Sequence, residues 1–419
     1  MPVSTDRPVI CLGCGCACDD LSVSVAAGRI TGIENACPLG LKWFRDGNFP
    51  AAIQCDGVDV SFDRAITTAA EILFANPRRT LIYVSDDVSC AAHGEATALA
   101  DRIGATIDGP TSDTVADGLL AAQRRGRASA TLGELRHRAD VVIFWGVDPS
   151  ARYPRFMERF VTPQPVFATA RTLIAVDVDA AHGPRVCGER ITLSSRHEVD
   201  ALSVLRAGLR ERGTAPTEGV LAAFVELARR LRSDAKYVAI IFDAEPDDGR
   251  RDPDLPEALI AFTQALNAST RAALFALRAG GNRNGFESLL TWQTGFPFAA
   301  DFAGGHPRYV TDESVAERLS RGRYDAVLVV GSTVNVAVNI AAELKRVPTV
   351  IVGPGASEAT LAPGVVIDTG AVGIHEGGMV LRMDDVPFEA VPLLSHPTTA
   401  ADVLRSLSER CAARGSLRS

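Results

Sequence analysis

The chain has 419 residues, 47% of them hydrophobic and 22% charged, the balance of a folded protein with two or three domains of ~100–200 residues. Its net charge of −8, from 43 basic and 51 acidic residues with no basic run longer than two, offers no positive footprint for nucleic acid. The longest apolar runs, Val141–Val147 and Tyr237–Phe242, fall far short of the ~20 residues of a membrane helix, and the Met-Pro-Val-Ser-Thr-Asp-Arg start lacks the basic-then-apolar order of a signal peptide, so neither a membrane nor a secretory role is expected and the cytoplasm is.

The first informative segment is a cysteine cluster. Five of the nine cysteines lie within the first 37 residues, too sparse overall for a disulfide scaffold and clustered as in metal or redox chemistry. The segment reads Cys11-Leu-Gly-Cys14-Gly-Cys16-Ala-Cys18, then Cys37-Pro38. Taking Cys11, Cys14, Cys18 and Cys37 gives Cys-x2-Cys-x3-Cys-x18-Cys, in which three thiolates on a glycine-containing loop face one iron–sulfur cube and a fourth returns from a nearby turn. Cys16 is left unassigned. Structural zinc also accepts four thiolates, and reduced thiols in a packed lobe are the third reading; the three-residue gap before Cys18 favours iron–sulfur over paired Cys-x2-Cys zinc knuckles.

From there the chain alternates short β-branched runs with longer amphipathic ones. Strands are expected at Thr80–Val84, Asp140–Gly146, Thr172–Asp177, Tyr237–Phe242, Asp325–Gly331 and Thr349–Gly353, with covering helices at Glu198–Arg212, Leu221–Arg232 and Pro256–Leu266. Runs apolar on both faces suit parallel strands covered on each side, which predicts a doubly wound α/β fold. Arg138–Gly146 echoes Arg323–Gly331: each is a buried strand ending at a glycine, with a second strand after it, as in two α/β domains related by duplication. Glu245–Pro256 and Gly295–Pro307 read as irregular loops.

Other candidate chemistry is thin. His93, His137, His182 and His197 are scattered without ligand spacing and read as surface or satisfied core residues. Gly146, Asp148 and Pro149 stand where a strand end meets a cofactor tail or forms an ordinary turn. Neither Gly353-Pro-Gly355 nor Gly377-Gly378 follows the P-loop pattern, and no Gly-x-Ser-x-Gly elbow is present.

A cysteine-bearing lobe followed by two α/β units resembles the molybdopterin oxidoreductases, and within them the B subunits of formylmethanofuran dehydrogenase. The residues that carry the resemblance are Cys11–Asp20 with Asn35-Ala36-Cys37, Thr131–Glu134 leading into Arg138–Gly146, and Asp148-Pro149 with Tyr153-Pro154-Arg155. Further along are Gly280-Gly281-Asn282 with Gly285, Thr291–Phe298, Gly305–Tyr309, and Gly373-Ile374 with Arg382–Pro387. The resemblance implies a cysteine-rich iron–sulfur-type lobe over 1–55, a discontinuous α/β domain over 56–115 and 286–419, and a second α/β domain over 116–285. It also implies a [4Fe–4S] cluster on Cys11, Cys14, Cys18 and Cys37, loaded or vestigial.

Two departures qualify the activity it implies. The family ligates tungsten or molybdenum through a cysteine followed by a histidine, in a loop of the form Ile-Asp-Asn-Thr-Ser-Ser-Val-Cys-His-Gly-Pro. Here the stretch is Ile107-Asp-Gly-Pro-Thr-Ser-Asp-Thr-Val-Ala-Asp117, with Thr114 and Val115 at those positions, or Ile107 and Asp108 if Gly109-Pro110 is matched instead. A threonine hydroxyl stays protonated and is a hard, poor ligand where a soft thiolate is required, and valine moves no proton. Second, the family's Ser-Asp-Pro-x-x-His loop is here Gly331-Ser-Thr-Val-Asn-Val336. The resemblance therefore points to a degenerate, structural B subunit, as expected in the formyltransferase/hydrolase complexes of aerobic methylotrophs. In these, formyl transfer to a methanofuran-like carrier and hydrolysis to formate fall to partner subunits: an amidohydrolase-like A, a C-type and a formyltransferase D. No tungsten or molybdenum pterin is expected in such a chain. The alternatives are a redox-active subunit with an atypical ligand from the 107–114 loop, and an iron–sulfur electron-transfer module.

Overall fold

A computed structural model of the chain describes residues 8–210, 218–245, 252–333, 336–361 and 363–415. It divides into two compact units, one formed by Met1–Thr114 with Gly280–Ser419 and the other by Val115–Ala279. The cysteine-bearing segment and residues 280–285 belong to the first unit.

The first unit is built on a nine-stranded sheet. Its inner strands run in the order Thr106–Asp108, Thr80–Val84, Ala326–Val330, Thr349–Gly353 and Val365–Asp368, all parallel. Short antiparallel strands extend it at both edges, including Ala300–Asp301, which pairs with Thr106–Asp108 inside a stretch the sequence presents as irregular. The two-sided apolar character of the inner strands has a direct structural meaning. Ile82, Val84, Leu328 and Val330 enter one core, against the helices Phe62–Ala75, Cys90–Ile103 and Ala400–Gly415. Their alternate neighbours Leu81, Tyr83, Val327 and Val329 enter another, against Val315–Ser320 and Val338–Leu344. Period-two alternation thus divides one run of apolar residues between two cores, each buried aliphatic side chain contributing about 1.5–3 kcal/mol.

Local chemistry sets the helix ends. Ser61 and Ser89 accept from the Arg64 and Ala92 amides at helix starts, and Ser314 with Glu317 forms a capping box. Gly104, at φ +71°, closes Cys90–Ile103 in the left-handed conformation.

The second unit carries five parallel strands in the order Arg271–Leu277, Tyr237–Asp243, Val141–Trp145, Thr172–Val178 and Glu189–Leu193. Ala116–Arg125, Glu198–Leu209, Val220–Ser233 and Leu255–Leu266 cover it around one continuous core. All three expected helices differ at their ends: one ends at Leu209 and not Arg212, with 211–212 outside the described residues, one extends a residue each way to Val220–Ser233, and one begins at Leu255. Positions 246–251 of the polar loop after Glu245 also lie outside them. Both echoed strands are central in their sheets, and Gly146 (φ +60°) and Gly331 (φ +104°) make the tight exit the sequence anticipates.

The cysteine-bearing segment adds a hairpin, Ser22–Ala26 with Arg29–Glu34, and the helix Pro38–Phe44. Its small core joins Ile10, Leu12 and Ala17 to Val372, Val380 and Ala390 near the chain's other end. His375 Nε2 lies 2.8 Å from the Gly47 carbonyl, and the Met383 amide donates to the Gly15 carbonyl at 3.0 Å. The glycine-rich turn at 370–378 therefore packs on the first lobe.

Candidate functional site

In an open parallel sheet, ligands meet the loops at the carboxyl ends of the strands. In the first unit these loops are Ser85–Ser89 after Thr80–Val84, 109–114 after Thr106–Asp108, and Gly331–Ser332 after Ala326–Val330. Residues 280–287 come in beside them. What they assemble is a buried network of ion pairs.

Arg283 grips Asp86 through two bonds, Nε to Oδ1 at 2.9 Å and Nη2 to Oδ2 at 2.6 Å, with both side chains nearly out of solvent (6% and 4% exposed). Its third branch, Nη1, donates to Thr114 Oγ1 at 3.1 Å, and that hydroxyl donates onward to the Pro110 carbonyl at 2.8 Å. A second pair lies alongside: Asp108 accepts from Arg318, from Ser112 Oγ at 2.6 Å and from the Gly109 amide at 2.8 Å. Thr111 Oγ1 donates to Glu287 Oε1 at 2.5 Å. Asn282 fastens three segments, receiving the Leu381 amide at 2.7 Å and donating to the Val88 and Asp86 carbonyls at 2.7 and 2.6 Å. Ser89 Oγ donates to Glu376 Oε1 at 2.6 Å.

Two carboxyls here are perturbed. Asp87 is pushed up to about 6 by burial, helped by the neighbouring Asp86 charge and opposed by the Ser332 amide, which donates to Oδ1 at 2.9 Å. Its Oδ2 has no hydrogen-bond partner among the described residues. Asp113 is likewise raised to about 6 by burial, against the Ala316 amide. Glycine is required where the loops close in: a Cβ on Gly280 (φ +85°) would stand 2.4 Å from Asp86 Oδ2, and one on Gly331 2.5 Å from Asp87 Oδ1.

The arrangement does not suit a tungsten or molybdenum pterin centre. Thr114, at the cysteine position in one of the two registers considered above, presents a hydroxyl engaged by both a donor and an acceptor. Its neighbour in that network, the Arg283 guanidinium paired with Asp86, only donates hydrogen bonds and offers no ligand atom. Val115, the histidine position in that same register, is buried and apolar. In the 331–336 loop, Ser332 is bonded to Asp87 and the Gly331 amide donates to the Val352 carbonyl at 2.8 Å, while Val334 and Asn335 lie outside the described residues.

The cysteine loop is a separate feature of the same unit. The Cys11 amide donates to the Cys18 carbonyl at 3.0 Å, the Ala17 amide to the Cys14 carbonyl at 3.3 Å, and the Gly13 amide to Cys11 Sγ at 3.4 Å. Glycines let the loop meet the helix after Cys37: a Cβ on Gly13 would lie 2.8 Å from the Leu39 carbonyl oxygen, and one on Gly40 3.3 Å from Cys11 Sγ. Burial pushes the Cys11 thiol well up, and the charges of Cys14, Cys18 and Cys37 add to it. Cys14, Cys18 and Cys37 thus lie close enough to Cys11 to act on it electrostatically. Among the described residues no disulfide is formed, Cys16 is fully buried, and no three or more His, Cys, Asp or Glu are arranged to hold a metal ion.

Other candidates resolve simply. Asp148 and Pro149 form a turn, with Asp148 Oδ1 accepting from the Ser150 amide at 2.9 Å and the Pro149 carbonyl from the Tyr153 amide at 2.8 Å. His93 is fully buried against Phe286, at 5.5 Å between rings. It is neither at the surface nor satisfied, the two readings the sequence offers: neither ring nitrogen has a hydrogen-bond partner among the described residues, and burial depresses it to about 3. Asp86, Arg283, Asp108, Arg318 and Glu287 were not visible in the sequence as a group; the available signal was Asp86-Asp87 directly after an apolar strand.

No family model matches the chain. It is 30% identical to the B subunit of the tungsten-containing formylmethanofuran dehydrogenase 2 of Methanocaldococcus jannaschii, over 94% of this chain and 95% of that one. It is 28% identical to the protein of the same name in Methanococcus maripaludis, over 96% and 98%. It is also 28% identical to the B subunit of the formyltransferase/hydrolase complex Fhc of Methylorubrum extorquens, over 84% and 96%. Among solved structures, a chain of the formyltransferase/hydrolase complex FhcABCD from Methylorubrum extorquens, crystallised with methylofuran, shares the fold with a TM-score of 0.73 at 24% identity, over 87% of this chain and 100% of that one.

Proposed function

The chain belongs to the family of formylmethanofuran dehydrogenase B subunits, and from that premise we propose that it is the structural, non-catalytic B subunit of a formyltransferase/hydrolase complex. One observation carries the reading: the Thr114 hydroxyl is bonded to the Arg283 guanidinium, itself neutralised by buried Asp86. Thr114, in this reading, stands where a redox subunit would carry a thiolate, and its hydroxyl, held by Arg283, is a hard, poor substitute for that soft ligand. In this reading the network does mechanical work: Asp86, Asp108, Arg283 and Arg318 clamp the loop ends into one rigid surface.

The mixed α/β architecture is, in this reading, molybdopterin-oxidoreductase-like with a cysteine-bearing lobe. Cys11, Cys14, Cys18 and Cys37 would hold a [4Fe–4S] cluster, which supplies one-electron chemistry when bound; in this chain its role is to brace the lobe. Formyl transfer to a methanofuran-like carrier and hydrolysis to formate belong to A-, C- and D-type partners in a cytoplasmic assembly. Among the described residues no helix is long and apolar enough to cross a membrane. A second reading, a redox-active tungsten or molybdenum subunit, is favoured by the tungsten in the names of the two methanogen relatives.

Elemental analysis of the anaerobically purified complex for W, Mo, Fe and Zn separates the two. Iron without W or Mo, together with formyltransferase activity in the complex, supports the structural reading. Stoichiometric pterin-bound W or Mo with formylmethanofuran oxidation overturns it, and a reversible EPR signal with a redox partner would favour electron transfer.

A further inference from the structure

The Val115–Ala279 unit contains a cavity of about 390 Å³ that belongs wholly to that unit. Among the described residues its wall carries four arginines, Arg125, Arg206, Arg210 and Arg232, and no aspartate or glutamate; alanines, Leu209, Gln264 and Ser269 make up the rest. The arginines come from the ends of three helices: the last residue of Ala116–Arg125, the last turn of Glu198–Leu209 and the residue after it, and the last turn of Val220–Ser233.

Helix C-termini attract cations, so some arginine is expected there. The dipole accounts for only part of it: one helix end is worth roughly half a charge, yet Arg206 and Arg210 both stand at the end of Glu198–Leu209, four residues apart on one face. Arg125 is shared with Glu257, at 2.5 Å, and Arg232 has another partner in the structure. Arg206 and Arg210 have no ion pair among the described residues, and the Arg206 Nε is buried without a hydrogen-bond acceptor. A buried cationic donor without an acceptor, beside a second unneutralised guanidinium, is the signature of a site that expects an anion.

We propose that this cavity binds a compact polyanion, a phosphoryl or polycarboxylate compound with at least two negative charges. Guanidinium groups present planar forks of donors that match phosphate and carboxylate oxygens bidentately. The volume lies within the range of small-molecule sites, ~300–1,000 Å³. Gln264 supports the wall, its Nε2 donating to the Arg125 and Gly126 carbonyls at 2.8 and 3.1 Å and so holding the turn that carries Arg125.

The test is isothermal titration calorimetry of the full chain, in a buffer free of oxyanions, with pyrophosphate and separately with citrate. The expected result is saturable binding of at least one of them, weakened by added chloride. Tighter pyrophosphate binding would identify a phosphoryl ligand and tighter citrate binding a polycarboxylate. Arg206→Gln with Arg210→Gln is expected to weaken binding by about tenfold or more, while Arg64→Gln, on the exposed face of Phe62–Ala75, leaves it unchanged. Circular dichroism establishes that the double variant is folded. No saturable heat up to about 10 mM of either probe, well beyond a weak Kd of ~1 mM, would overturn the proposal. So would binding that is indifferent to the double variant, or equally weakened by Arg64→Gln.

Discussion

Asp86→Asn is the sharpest test of the ion-paired network. The substitution keeps the side chain's shape but removes its charge and turns an NH2 group toward Arg283 in place of one accepting oxygen. Arg283 would be left buried, at 6% exposure, with its 2.9 and 2.6 Å carboxylate bonds reduced to one neutral contact. With both partners almost fully out of solvent, screening does not rescue the charge, and removing one member of such a pair costs about 3–5 kcal/mol. Urea unfolding followed by circular dichroism should show this as a lower midpoint at unchanged slope. Asp86→Asn combined with Arg283→Met should recover most of the loss, since a buried pair exchanged for apolar bulk is often close to neutral. A single-variant loss below about 1 kcal/mol, the scale of an exposed pair, would refute the view that this network clamps the strand ends.

Asp87 has a folded pKa raised from 3.8 to about 6, so the folded state binds more protons than the unfolded one between those values and stability falls as pH rises through them. Asp87→Asn should remove that slope and add about 2–3 kcal/mol at pH 8, read from urea midpoints at pH 4 and pH 8; an unaltered pH profile would contradict the assignment. Gly280→Ala forces a Cβ to within 2.4 Å of Asp86 Oδ2 at a φ of +85°, and a loss of about 2–4 kcal/mol is expected by the same assay. Thr114→Cys alone should not confer tungsten- or molybdenum-dependent formylmethanofuran oxidation, because Arg283 and Val115 remain; recovery of that activity would sink the structural reading. Cys18→Ser should lower the iron content of anaerobically purified protein if the cluster is loaded, and equal iron in the variant would exclude Cys18 as a ligand.

The strands at Thr80–Val84 and Thr349–Gly353 are where the sequence puts them, because burial on both faces is written as an unbroken apolar run and needs no knowledge of distant residues. The glycine exits at Gly146 and Gly331 were legible for the same reason: each is a local demand of the backbone. The cysteine spacing and the absence of cysteine from 107–117 were likewise legible locally. What Thr114 touches was not. Its partner Arg283 and that residue's partner Asp86 lie far apart in the chain, and Arg318 reaches Asp108 from another helix again. The convergence of Arg125, Arg206, Arg210 and Arg232 on one cavity has the same character. Periodicity records which face of an element is buried, but charge pairing depends on which elements become neighbours. The tertiary structure alone decides that, by packing three loop ends of one parallel sheet within hydrogen-bond reach.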